Sequence, residues 1–204
     1  MKILAFTDVH DSKKAIRKIE KRVKRKKPDL IVCAGDISIF ENGLEYLLFS
    51  LNQLNTPVLM IHGNHELENI MKRMCALFKN ITFIHKKAHK YENCLFLGFG
   101  GGGFSLTDKR FEKTAKKFKK DIRKNKNMKI ILITHAPPFG TRIDKIYKEH
   151  CGNKSISDFI KKNRIDIAIS GHLHENFGKK DKIGNTLIIN PGPYGKIIKI
   201  NQNT

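Results

Sequence analysis

Seven side chains with metal-binding chemistry stand just beyond apolar segments of the sequence. Phe6-Thr7 leads to Asp8 and His10, Cys33-Ala34-Gly35 to Asp36, and Ile61-His62-Gly63 to Asn64. Ile133-Thr134 leads to His135, and Ser170-Gly171 to His172 and His174. Carboxylate, amide and imidazole donors suit Mn, Fe, Zn, Ni or Co. A carboxylate has two oxygens and can bridge two cations. Cations held ~3.5–4 Å apart can hold a hydroxide and clamp a phosphoryl group. In Asp8-Val9-His10 and His172-Leu173-His174 the alternation puts both outer side chains on one side of an extended segment. Glycine before Asp36, Asn64 and His172 permits a sharp turn and close approach.

The elements that must position these residues alternate between apolar runs and helical stripes, which predicts an α/β layered fold. Strands are expected at 2–7, 29–34, 57–61, 81–84, 94–99, 129–134, 165–170, 185–190 and 195–200. Helical periodicity places Ile16, Ile19 and Val23 on one face of 12–26, with Ser12 as N-cap. Leu44, Leu47, Leu48 and Leu51 form a second stripe, and Leu67, Ile70, Met71 and Met74 a third. Phe111, Ala115, Phe118 and Ile122 form the clearest one, and Ser155 caps a short helix carrying Ile156, Phe159 and Ile160. These stripes read as core faces. Open α/β sheets place ligands beyond the carboxyl ends of their strands, where the candidate donors stand. With no internal repeat and no long linker, residues 1–204 read as one domain.

Forty Lys+Arg against nineteen Asp+Glu give a formal charge of +21. Residues 13–27 and 109–126 hold ten basic residues each, half of the total. Such a field attracts anions and can support nucleic-acid binding, although a lysine-rich helix face is also an ordinary solvated surface. No stretch approaches the ~20 apolar residues of a membrane helix. The first segment is interrupted by Asp8 too early for a secretory leader. Cys33, Cys75, Cys94 and Cys151 form no C-x-x-C pair, which points to free thiols in a reducing compartment. The expectation is a soluble, cytoplasmic protein with no membrane partner.

The ordered set Asp8-Val9-His10, Gly35-Asp36, Gly63-Asn64-His65-Glu66, Thr134-His135-Ala136-Pro137-Pro138 and Gly171-His172-Leu173-His174 resembles the calcineurin-like metallophosphoesterases. A narrower similarity is to small prokaryotic phosphoesterases related to a bacterial cyclic-nucleotide phosphodiesterase. It rests on Gly98-Phe99-Gly100-Gly101, His135 to Pro138, Gly171 to Glu175, and Asn190-Pro191-Gly192-Pro193. The resemblance implies a four-layer sandwich of two mixed β-sheets flanked by helices. It implies two divalent metal ions, with Mn favoured and Fe, Ni, Co or Zn as alternatives. Asp8, His10 and His174 would bind one ion, Asn64, His135 and His172 the other, with Asp36 bridging. His65 would give a proton to the leaving group, and a metal-held hydroxide would attack. The implied substrate is a phosphate ester, a diester before a monoester, and a nucleotide is one option.

Two positions depart from the common pattern of that family. Asp11 stands where many relatives have glycine, and Ile39 where many have an acid that helps orient the catalytic histidine. Glu41 and Asp11 are the candidates for that task here. His62, His85, His89 and His150 match no motif position. Arg142, Lys145, Lys148 and His150 lie in a long connection from which they can reach substrate, and Gly100 to Gly103 can border the site. A nuclease is the alternative within enzymes. A protein-binding scaffold is the alternative outside them, and the presence of every ligand and of His65 argues against it.

Overall fold

The computed structural model describes residues 1–201. The first half of the chain builds a sheet from β1 (Lys2–Phe6), β2 (Leu30–Cys33), β3 (Val58–Met60) and β4 (Ile81–Phe83). These four run parallel because helices return the chain: α1 (Lys13–Lys26), α2 (Leu44–Asn52) and α3 (Glu68–Cys75). The second half adds β5 (Lys87–Tyr91), β6 (Cys94–Phe99), α4 (Lys109–Lys124) and β7 (Lys129–Thr134). A hairpin of β8 (Lys145–Ile146) and β9 (Glu149–His150) then leads to α5 (Lys154–Lys162) and β10 (Ile167–Ile169). The remaining strands are β11 (Lys180–Ile183), β12 (Thr186–Ile189) and β13 (Lys196–Lys199).

The sheet orders are β13-β1-β2-β3-β4 and β11-β12-β10-β7-β6-β5. Both are mixed, since β13, β5 and β11 pair antiparallel at the edges. The two sheets face each other over a core that includes Ala5, Val32, Phe96, Ile131 and Ile169. The apolar stripe of α1 packs on the outer face of the first sheet with Leu4, Phe6 and Ile31. Phe111, Phe118 and Ile122 of α4 pack on the outer face of the second with Leu95, Leu97 and Leu132. The result is the expected four-layer sandwich. Each central strand is buried on both faces, and accordingly reads as a continuous apolar run.

Ser12 caps α1 as expected, accepting from the Ala15 amide at 3.2 Å. The expected cap at Ser155 is corrected. Asn153 caps α5, and the Ser155 hydroxyl donates to Glu112 at 2.7 Å, tying α5 to α4. β5 and β11 escape the apolar-run reading because they are edge strands, KAHKY and KDKI, with lysines toward solvent. No helix among the described residues is long and apolar enough to cross a membrane, and the cysteines are free thiols.

Candidate metal centre

The sequence-identified donors converge at the carboxyl ends of β1, β2, β3, β7 and β10. His10 Nε2 and His174 Nε2 face each other at 3.1 Å, and lie 4.0 and 3.8 Å from Asp8 Oδ1. Beside them, Asn64 Oδ1 lies 3.0 Å from His135 Nε2 and 2.8 Å from His172 Nδ1. Asp36 joins the groups, since its Oδ2 lies 3.2 Å from His135 Nε2 and 3.8 Å from His10 Nε2. A nitrogen of His65 comes within 4.8 Å of donor atoms of both His10 and Asp36.

The alternation argument for Asp8-Val9-His10 and His172-Leu173-His174 does not describe how they converge. β1 stops at Phe6 and β10 at Ile169, and the donors lie on turns beyond. Asp8, His10, Asp36 and His172 have left-handed backbone, with φ of 54°, 47°, 49° and 70°. That conformation costs ~1–3 kcal/mol per residue and persists only where the surroundings impose it. Here the Asp8 amide donates to Gly35 O at 3.1 Å and the His10 amide to Asp36 O at 3.2 Å. The His172 amide donates to both Asp8 carboxylate oxygens at 3.1 Å. A Cβ at Gly63 would collide with the Asp36 carboxylate, and one at Gly171 with Thr7 and Asp8, so these glycines permit the close approach.

One organising residue has no role that the sequence alone assigns. Glu66 is buried, and its carboxylate accepts from the amides of Asp36 (3.1 Å), Ser38 (2.8 Å) and Gly63 (2.8 Å), and from the Ser38 hydroxyl. It therefore clamps the Asp36 turn to the Asn64 turn. The signal is present in the acid of Gly63-Asn64-His65-Glu66, but an acid in a motif does not say whether it faces solvent or backbone.

The electrostatics suit cations. Burial raises the Asp8 carboxyl above its ordinary value, opposed in part by His135. Burial acts the same way on Asp36, but the hydrogen bond and charge of His135 overcome it and hold that carboxyl at about 2. Burial works against charging His135, yet the hydrogen bond to Asp36 and the charges of Asp36 and Asp8 raise it to about 9. Burial and His135 press His172 down to about 4. Its Nε2 is buried without a hydrogen-bond partner among the described residues. Neutral imidazole is the form that binds metal, and the donor set as a whole fits two adjacent borderline cations.

The remaining candidates sort by geometry. His85 Nδ1 accepts from the Gly100 amide at 2.7 Å, so its proton sits on Nε2, 3.2 Å from Glu68 Oε2. With His62 packed edge-on at 4.4 Å, it fixes the start of the glycine loop. His150 pairs with buried Asp144 at 2.6 Å and locks the β8–β9 connection, while His89 lies on the edge strand β5. Gly101 to Gly103 do border the centre, lining with Asn64, Lys72 and Arg110 a cleft of about 750 Å³. Neither expected partner of His65 bonds it. Glu41 accepts from the Leu67 amide at 2.6 Å, and Asp11 from the Ile39 amide at 3.2 Å. Two exposed aromatics not anticipated from the sequence flank the centre: Phe40 against His65 at 5.0 Å and Phe104 against His172 at 4.7 Å between ring centroids.

The family model described as calcineurin-like phosphoesterase matches residues 1–176, which include every donor and His65. A protein of Methanocaldococcus jannaschii, described as uncharacterized, is 33% identical over 203 residues, covering 95% of this chain and 88% of its own length. A solved Thermus thermophilus protein is 15% identical with a TM-score of 0.76, over 95% of this chain and 89% of that one. A dimetal phosphatase from Danio rerio is 10% identical with a TM-score of 0.68, over 92% and 86%. An archaeal phosphodiesterase is 17% identical with a TM-score of 0.56, over 94% and 84%. These three structures share the fold.

Proposed function

The chain belongs to the calcineurin-like phosphoesterases, and on that premise we propose that it hydrolyses a phosphodiester with the help of two divalent cations. The observation that carries the reading is the Asp36 carboxylate, which reaches both donor groups and has His65 beside it. Asp8, His10 and His174 would hold one cation, Asn64, His135 and His172 the other, with Asp36 between them. Mn is the favoured ion, with Fe, Ni, Co or Zn compatible with the same donors. When bound, the pair would supply Lewis acidity toward phosphoryl oxygens and a nucleophile from water at neutral pH.

The chain's own residues do the rest. Glu66 keeps the Asp36 and Asn64 turns at fixed separation. His65 gives a proton to the departing alkoxide through Nε2, because its Nδ1 is buried without a partner among the described residues. The cleft from Asn64 past Gly101–Gly103 to Arg110 offers room for a second organic arm, which a diester has and a monoester lacks. Lys72 and Arg110 on its wall favour an anionic arm such as that of a nucleotide.

The test is turnover of matched phosphodiesters and phosphomonoesters by protein loaded with Mn, Ni, Co or Mg. Diester turnover should exceed monoester turnover. Asp36→Asn should lose cation binding and about a thousandfold in rate, since metal stabilisation is worth several kcal/mol at about 1.4 kcal/mol per tenfold. Faster monoester turnover would reverse the substrate preference. An Asp36→Asn protein that retains both cations would remove the bridging role.

A further inference from the structure

We propose that Phe40 is the positioning residue for His65, doing by ring packing what a carboxylate partner would do by hydrogen bonding. The inference rests on the proton-donor role given to His65 above. The His65 amide is fixed, donating to Asp36 Oδ1 at 2.9 Å, but the imidazole beyond it has no polar tether among the described residues. Its Nδ1 is shielded from water with no hydrogen-bond partner among the described residues. Orientation of the ring therefore depends on packing. His10 meets it edge-on at 4.9 Å, and Phe40 packs against it at 5.0 Å with the rings tilted by 50°.

Phe40 is not where an apolar side chain settles by burial. It is 73% exposed, and its backbone is left-handed, with φ of 49°. For a bulky residue that is an outlier which the surroundings must hold in place. The holding groups are the two carboxylates that tie its loop down. Asp11 Oδ2 accepts from the Ile39 amide on one side of Phe40. Glu41 Oε1 accepts from the Leu67 amide on the other, tying this loop to the segment that follows His65. Asp11 and Glu41 thus brace the loop that presents the phenyl ring. A strained, exposed aromatic held against an imidazole beside a metal centre makes sense if its task is to limit that imidazole to the rotamer aimed at the leaving group.

Two measurements on Phe40→Ala test this. The first is independent of activity: a crystal structure, or side-chain NMR of the His65 ring. We expect the His65 ring to populate more than one orientation in Phe40→Ala, and a single one in Phe40→Tyr, which keeps the ring. A single unchanged orientation in Phe40→Ala overturns the proposal whatever the turnover. So does loss of orientation in Asp11→Asn but not in Phe40→Ala. The second measurement is turnover. Phe40→Ala should lose roughly tenfold on an alkyl-leaving-group diester, a part of the ~10²–10⁴ that general acid help supplies, and little on a nitrophenyl diester. In a His65→Gln background the same substitution should cost nothing further. An equal loss in that background would show that Phe40 acts on substrate rather than through His65. Absence of any diester turnover by the wild-type protein would count against the proposed function, and the ring orientation would still decide the role of Phe40.

Discussion

His65 and Asn64 are neighbours with different chemistry. Asn64 Oδ1 sits between two imidazoles, whereas the His65 ring stands outside that group and touches Phe40 and His10. Removing the imidazole should therefore leave the proposed cation donors intact. His65→Gln is expected to keep both cations and the fold, and to lose about 10²–10⁴-fold on an alkyl-leaving-group diester. The loss on a nitrophenyl diester should be far smaller, because a nitrophenolate leaves without a proton. Turnover on both substrates, with metal analysis in parallel, checks this. Equal losses at full occupancy would mean substrate positioning, and loss of a cation would make His65 a ligand. The candidate donors that the structure brings together were legible in the sequence because side-chain type alone limits metal chemistry. The left-handed turns at Asp8, His10, Asp36 and His172 were not, because alternation arguments presuppose an extended chain. Phe40 was hidden for a related reason. An isolated aromatic carries no periodicity, and its effect on His65 depends on a loop held by hydrogen bonds across 28 and 26 positions.

Glu66 acts between elements. It joins the turn after β2 to the turn after β3, and its oxygens accept from backbone N–H groups that a buried site must satisfy. Glu66→Gln turns one acceptor oxygen into a donor facing such an N–H. We expect a loss of ~1–3 kcal/mol in stability, read by urea unfolding in the presence of chelator. A fall of about 10–100-fold in cation affinity should accompany it, as for groups that support metal ligands. Unchanged unfolding and unchanged affinity would show that the clamp is dispensable. Interior strands such as LIVC and KIILIT were legible because burial on both faces demands unbroken apolar runs. The edge strands β5 and β11 and the two-residue strands β8 and β9 were not, since they bury too little to leave a pattern.

Across the whole molecule the basic helices are separated by both sheets. α1 covers the outside of the first sheet and α4 the outside of the second. Their exposed lysines and arginines therefore cannot line one groove for a single duplex. Reversing Lys21 and Arg25 on α1, or Lys117 and Lys120 on α4, should leave turnover of a small diester within about twofold, as surface changes usually do. Any DNA retention should weaken, with the salt slope falling by about 0.9 for each phosphate no longer neutralised. A large drop in small-diester turnover by folded protein would instead put the reversed residues at the active site. A last consequence concerns synthesis. β1, whose end leads to Asp8 and His10, is paired on one side by β13, with the Met1 amine reaching Ile200 O across 199 positions of chain. The Thr7 amide likewise meets the Gly192 carbonyl. A chain emerging from the ribosome can assemble the early parallel strands but must leave that flank of β1 open until Lys196–Lys199 have been made. His172 and His174 also arrive late. A nascent chain thus displays Asp8, His10 and Asp36 long before His172 and His174, so capture of the proposed cation pair is expected only after those imidazoles have been made.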